Sequence, residues 1–307
     1  MQSKSVVVMG SYVADVAFRT ARLPKWGETT MGAGFKLGPG GKGSNQAVAA
    51  ARAGAHVSFI SKLGHDAFGD LARATYREEN IDTTYVFDTA SPTGAAAILI
   101  DAATGENAII VVPGACFELT SEEVDGARPH IEHAAIFVTQ LELSIDTVSH
   151  GLQLAHSLGV PTILNPAPGC VLPRSIFQNC DYITPNETEA EILTGIRVTS
   201  LEDAERAADA LLVLGTRNVV ITLGARGAFV KNSTTRLHLP AIDAGAVVET
   251  TGAGDAFNGG FAVALAEGLD IVEATRFGCA VAGLSVTRPG TAPSMPYRTE
   301  IDALLNR

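Results

Sequence analysis

The chain has 307 residues, carries 22 Lys and Arg against 33 Asp and Glu for a formal net charge of −11, and is 46% hydrophobic. At roughly 100–200 residues per domain this is one large domain or two smaller ones, and the apolar share excludes a disordered polyelectrolyte. The acidic balance argues against non-specific nucleic-acid binding, which relies on Lys and Arg neutralising phosphates; it leaves room for a phosphate-bearing small ligand held by a local nest of backbone N–H groups.

Strand-like and helix-like stretches alternate along the chain. Residues 6–9 are a short β-branched run, and 44–53 are Ala-rich with Gly54 behind them, a helix and its stop. A strand over 57–61 and a helix over 68–79 follow. The rhythm returns as strands at 135–139, 162–164, 182–184 and 219–223 with helices at 145–158 and 201–214, and a last strand is expected at 247–249. Apolar strands separated by helices imply a parallel sheet covered on both faces. Two regions, 15–36 and 85–112, lack helical periodicity and carry strand formers between turn residues (Pro24, Gly27, Pro92, Gly105). They read as extra strands outside the parallel sheet, a small lid inserted at about 15–37 and 85–112 into one α/β domain spanning 1–307.

Cys116, Cys170, Cys180 and Cys279 are widely spaced, with no C-x-x-C, and read as buried free thiols in a reducing compartment. The N-terminal apolar run is too short for a signal-peptide core and no window approaches the roughly 18 apolar residues of a span, so a cytosolic setting is expected. The matches to the glycosylation sequon at Asn186 and Asn232 are then chance.

The strongest signal lies at 249–260, where Glu249-Thr250-Thr251-Gly252-Ala253-Gly254 leads into an Ala- and Phe-rich helix. Glycines there let backbone N–H groups converge at a helix N-terminus, which favours an anion. Asp255, on the first turn, is a candidate general base for a hydroxyl attacking a phosphoryl group; an ordinary Gly-rich turn with Asp as dipole partner is the structural alternative. A second cluster at 37–46 contains G-x-G-x-x-G (Gly38, Gly40, Gly43) but lacks the preceding strand and acidic partner of a dinucleotide site, and Lys42 is followed by Gly rather than the Ser or Thr of a Walker A loop. It offers close backbone approach with Lys42 and Asn45 for a polyol, or simply a turn into a helix. Asp15 and Glu142 follow strands, where ligands of parallel sheets sit, and could each accept sugar hydroxyls or cap a turn. Asn186 and Glu189 lie three apart at a helix start, suited to phosphate or hydrated Mg²⁺, although Asn is also a preferred N-cap. Thr222-Leu223-Gly224-Ala225-Arg226-Gly227 is a strand-end turn against which a nucleotide could lie.

Taken in order, Gly-Gly-Lys-Gly-Ser-Asn-Gln-Ala (40–47), Asn-Pro-Ala-Pro (165–168), Thr-Pro-Asn-Glu-Thr-Glu-Ala-Glu (184–191), Thr-Leu-Gly-Ala-Arg-Gly (222–227) and Thr-Thr-Gly-Ala-Gly-Asp-Ala-Phe-Asn-Gly-Gly (250–260) resemble the ribokinase-like (PfkB-type) carbohydrate kinases. The resemblance runs from about Val6 to the C-terminal helix. It implies a three-layer α/β/α fold with a mostly parallel central sheet, a small β-sheet lid that clasps a second subunit as a homodimer, and ATP-dependent phosphorylation of a sugar's primary hydroxyl. D-ribose leads as substrate, with 2-deoxyribose or another sugar or nucleoside as the alternative. Carried over position by position, Asp255 is the base and Gly252, Ala253 and Gly254 the anion hole; Val13, Asp15, Gly41, Lys42, Asn45 and Glu142 meet the sugar. Asn186, Thr222, Gly224, Ala225, Arg226, Gly227, Gly254 and Cys279 line the ATP site, with Mg²⁺ near Asn186 and Glu189. A K⁺ loop that orders the anion hole maps onto Glu249, Thr251, Ser285, Arg288, Gly290 and Ser294.

Three positions depart from that pattern: Val13 stands where Asn is usual, Glu249 where Asp is usual, and Cys279 where His is common. Val13 can donate nothing to a sugar hydroxyl, and an apolar residue there is similar to deoxyribose kinases; the longer Glu249 would rearrange cation binding. Outside this class, a dinucleotide-binding oxidoreductase using the 38–43 loop and a non-catalytic sugar or nucleotide sensor are the competing expectations.

Overall fold

The computed structural model describes residues 5–306. In β1 (Ser5–Met9), strand alternation sends Val6 and Val8 to one face of a sheet and Val7 and Met9 to the other, and all four are buried. A strand with no polar face needs cover on both sides, and the chain provides it. The lid strands β2 (Val13–Thr20) and β3 (Gly34–Gly40) come next, then helix α1 (Lys42–Arg52), β4 (His56–Gly64), α2 (Ala67–Glu78) and β5 (Asp82–Thr89). Two further lid strands, β6 (Thr93–Asp101) and β7 (Asn107–Gly114), precede the short helices α3 (Ser121–Gly126) and α4 (Arg128–Glu132). The α/β alternation then resumes with β8 (Ile136–Thr139), α5 (Ile145–Ser157), β9 (Thr162–Leu164), α6 (Arg174–Gln178), β10 (Tyr182–Ile183), α7 (Glu187–Thr194), α8 (Leu201–Leu214) and β11 (Asn218–Thr222). The edge hairpin β12 (Ala228–Lys231) and β13 (Arg236–Leu239) is followed by α9 (Ala253–Ala266), α10 (Ile271–Ser285) and α11 (Arg298–Leu305).

The large sheet runs β13-β12-β11-β10-β9-β8-β1-β4-β5, parallel from β5 to β11 and antiparallel in the final hairpin. The small sheet runs β3-β2-β6-β7. The parallel sheet, its two covered faces and the separate lid accord with the sequence reading. Three details differ. The lid does not begin at 85: residues 85–89 belong to β5, which after α2 returns parallel to β4 as the ninth strand of the large sheet, as a βαβ crossover directs. Asp15 does not follow β1 directly, because the chain changes sheets over 10–12 and Asp15 lies within β2, opposite Gly38. Residues 247–249 form no strand; the Val248 and Glu249 N–H groups both donate to Val286 O beyond the end of α10, at 2.8 and 3.2 Å.

The packing of α1 on α9 places the site. Both helices are rich in Ala and Gly at their contact, and a Cβ at Gly259 would lie 2.5 Å from Ala49 Cβ, so the axes approach more closely than larger side chains allow. At the other end, a Cβ at Gly43 would fall 2.6 Å from Gly10 Cα, so the first turn of α1 rests on the end of β1. The N-termini of the two helices thereby meet above the carboxyl ends of β1, β8, β9 and β10, where doubly wound sheets bind ligands.

Candidate active site

Gly41, at φ +84°, caps α1 in a backbone region closed to most side chains, and Gly252, at φ +82°, does the same for α9. From these two starts, side chains converge on Asp255, which is 6% exposed. Asn45 Nδ2 donates to Asp255 Oδ2 at 2.9 Å and Gln46 Nε2 to Asp255 Oδ1 at 3.0 Å. Gln46 is itself fixed: its Nε2 also reaches Asn165 Oδ1 at 3.0 Å and its Oε1 accepts from Gln140 Nε2 at 2.7 Å. Asn165 Nδ2 donates to Thr184 O, the Thr184 hydroxyl to Asn258 Oδ1, and Asn258 Nδ2 returns to Gly254 O at 2.8 Å. This circuit of buried amides orients the carboxylate and the first turn of α9 together, and each carboxylate oxygen keeps acceptor capacity for an alcohol. Asn45 Oδ1 is buried with no protein partner, an orphan acceptor that a ligand hydroxyl would satisfy.

Beside Asp255 lies a pocket of ≈ 170 Å³ lined by Lys42, Asn186, Glu189, Thr222, Gly252 and Gly254, among others. Gly254 has open space where a Cβ would project, so its missing side chain leaves room for something other than protein. The first N–H groups of α9 have no partner four residues back, although that of Ala253 donates to Thr250 O at 3.2 Å. The Lys42 ammonium is stabilised by Asp255 first, against the cost of burial, with Glu142 and Glu189 adding to the effect; its pKa is raised accordingly. Burial pushes the Glu189 carboxyl up, while the Asn186 N–H and Lys42 pull it down.

Asn186 and Glu189 form a capping box at the start of α7, each side chain accepting from the other's backbone N–H at 2.8–2.9 Å. The N-cap alternative is thus realised and the pair faces the pocket as well. Glu142 accepts from Lys42 N at 2.8 Å and from the Ser11 hydroxyl, so one oxygen is committed to holding the start of α1.

Asp15 lies in a second cavity of ≈ 310 Å³ between the lid and the 289–293 loop, together with Glu249, Thr251 and Gly290. Burial raises its pKa to about 6; Thr291 lowers it by hydrogen bonding, and Glu142, Asp255 and Glu249 raise it by repulsion. Glu249 Oε2 accepts from Gly290 N at 2.8 Å, which folds the 249–251 and 288–294 segments onto each other. The Ser285 and Ser294 hydroxyls donate to Ala282 O and Thr291 O, and Arg288 pairs with Glu300. No group of three or more His, Cys, Asp or Glu able to hold a metal occurs among the described residues.

Not every expected residue reaches these cavities. Val13 is buried opposite Gly40 at the start of β2. Gly224, Ala225 and Arg226 form a single 3₁₀ turn ended by Gly227, and the Arg226 guanidinium points to Thr199 O and Glu187. Cys279 is buried in α10. The sequence reading missed Gln46, Gln140, Asn258 and the role of Asn165. Asn258 carried a signal, a lone amide between Phe257 and Gly259 in an otherwise apolar buried stretch, whereas Gln46, next to Ser44 and Asn45, carried none of its own.

A buried carboxylate with free acceptor capacity, a lysine and a glycine-opened helix N-terminus define a phosphoryl-transfer corner. The chain belongs to the pfkB family of carbohydrate kinases, whose pattern, described as "pfkB family carbohydrate kinase", matches residues 3–298; it is an ATP-dependent sugar kinase. It is 40% identical to a ribokinase of Haemophilus influenzae over 97% of both chains, and 37% identical to a deoxyribokinase of Salmonella typhi over 98% of both. Its structure superposes on that of an Arabidopsis thaliana ribokinase complexed with ribose and ATP with a TM-score of 0.93, at 32% identity and over 100% of each chain.

Proposed function

We propose that the protein transfers the γ-phosphoryl group of ATP to the primary hydroxyl of a pentose, D-ribose first, and that Asp255 is the base. The observation that carries this reading is the pair of amide donors, Asn45 and Gln46, which clamp Asp255 beside the N-terminus of α9. The sugar's hydroxyl donates to Asp255, which takes the proton as the alcohol oxygen bonds to the γ-phosphorus and the bond from that phosphorus to the bridging oxygen breaks, releasing ADP. Lys42 and the N–H groups of Gly252, Ala253 and Gly254 hold the transferring charge, with Ala253 releasing Thr250 O as the phosphate arrives. Asp15, Asn45 and the backbone around Gly41 read the other hydroxyls, with Glu142 fixing Lys42. Thr222, Gly224 and Gly227 support the nucleotide, alongside Ala225, Arg226 and Cys279.

Glu189, buried and raised in pKa, keeps one oxygen for a hydrated Mg²⁺, which when bound neutralises phosphate charge; Asn186 positions it. The 249–251 and 285–294 segments would hold K⁺ through carbonyls, ordering the turn before α9. The lid's exposed outer face supports a homodimer, and no helix among the described residues is long and apolar enough to cross a membrane.

The 2-deoxyribose reading has its own observation, the buried apolar Val13. A coupled ADP-release assay across D-ribose, 2-deoxyribose, fructose and adenosine decides. Sugar-dependent ADP release with either pentose supports the reading, and turnover confined to fructose or adenosine overturns it.

A further inference from the structure

Thr291 opens the short turn that precedes α11, and it touches three functional segments at once. Its hydroxyl lies 3.1 Å from Asp15 Oδ2 on β2 and 3.0 Å from Pro39 O on β3. Its Cα and Cβ would stand 3.3 and 3.5 Å from a Cβ at Gly252, so it also packs against the residue that opens α9. The turn holds it in place, since Ser294 N and Oγ both donate to Thr291 O, at 3.1 and 2.8 Å. A threonine hydroxyl has one hydrogen and here two acceptors, so it serves them in turn.

We propose that Thr291 is a positioning residue that holds Asp15 in the empty site and releases it to the sugar, keeping the 289–294 loop tied to the lid throughout. When a sugar hydroxyl donates to Asp15, the Thr291 hydrogen turns to Pro39 O. The loop thus stays fastened to β3 while its packing on Gly252 sets the approach of the lid to the anion-binding turn. This inference rests on the reading of Asp15 as a sugar ligand.

The test measures kcat and KM for D-ribose and for ATP in the full-length protein. In Thr291→Val, which keeps the shape and removes the hydroxyl, the tie to Pro39 O that holds the loop in the sugar complex is lost, so KM for D-ribose rises about tenfold while kcat and KM for ATP stay put. Thr291→Ser, which keeps the hydroxyl, restores the wild-type KM. If Thr291→Val does not fold, Thr291→Ala carries the same expectation. An unchanged KM for D-ribose in the hydroxyl-less variants, or the same rise in Thr291→Ser, overturns the proposal. Asp15→Asn separates the two layers: an unchanged KM for D-ribose in that variant removes Asp15 as a sugar ligand, whereas a raised KM there with an unchanged KM in Thr291→Val removes only the role of Thr291.

Discussion

Strands β8 and β7 are both rich in branched apolar residues, yet every residue of β8 is buried while Ile109, Ile110, Val111 and Val112 of β7 are all exposed, Ile109 and Val111 on the face of the Asp15 cavity and Ile110 and Val112 on the other, Ile110 at 67% exposure. The large sheet supplies its own cover, with cores on both faces. The small sheet uses one face to close over the Asp15 cavity and leaves Phe18, Phe35 and Leu37 exposed on the other with Ile110 and Val112 of β7. A contiguous apolar face of this kind marks an interaction surface. In the proposed function the body holds the base and the anion hole, and the lid is shaped by what it meets: the sugar on one side, through Asp15, and a second copy on the other.

The largest expected effect breaks the body's half of that contrast. Asp255→Asn lowers kcat by about 10²–10⁴ with KM for ATP little changed, measured by steady-state ADP release; near-wild-type turnover removes Asp255 as the base. An intermediate effect tests the lid's outer face. Ile110→Asp puts a charge where burial of an Ile is worth about 1.5–3 kcal/mol, so self-association weakens by roughly tenfold or more while the thermal midpoint of the body stays put. Light scattering that finds the same oligomer in both proteins would show that β7 faces nothing. The smallest effect sharpens the lid's inner face: Val13→Asn shifts the ratio of kcat/KM for ribose over 2-deoxyribose by about tenfold toward ribose. A constant ratio means this position does not read the 2-hydroxyl.

What the chain discloses unaided follows the distance over which each feature is decided. The Gly252–Asp255 turn and the alternation in β1 are set by neighbours in sequence, and both are visible there. The assignment of 247–249 as a strand failed because two adjacent valines satisfy a local pattern while no partner strand exists; their extended segment is held by Val286 instead. Residues 85–89 read as lid because pairing with β4, not composition, decides which sheet a strand joins. Gln46 was read only as part of a motif, since its partners Asn165 and Asp255 lie 119 and 209 residues away. Thr291 carries no local signal at all, its acceptors standing 252 and 276 residues earlier.

The bond from Asn45 to Asp255, spanning 210 residues, also has a consequence for how the protein is made. A nascent chain growing from its amino end can give Gln46 its partners Gln140 and Asn165 early, but has nothing to receive the Asn45 amide until α9 is made. Partial chains that bury that amide early leave it unsatisfied, so premature compaction is penalised. The corner around Asp255 is thus completed late, as α9 docks onto the much earlier α1.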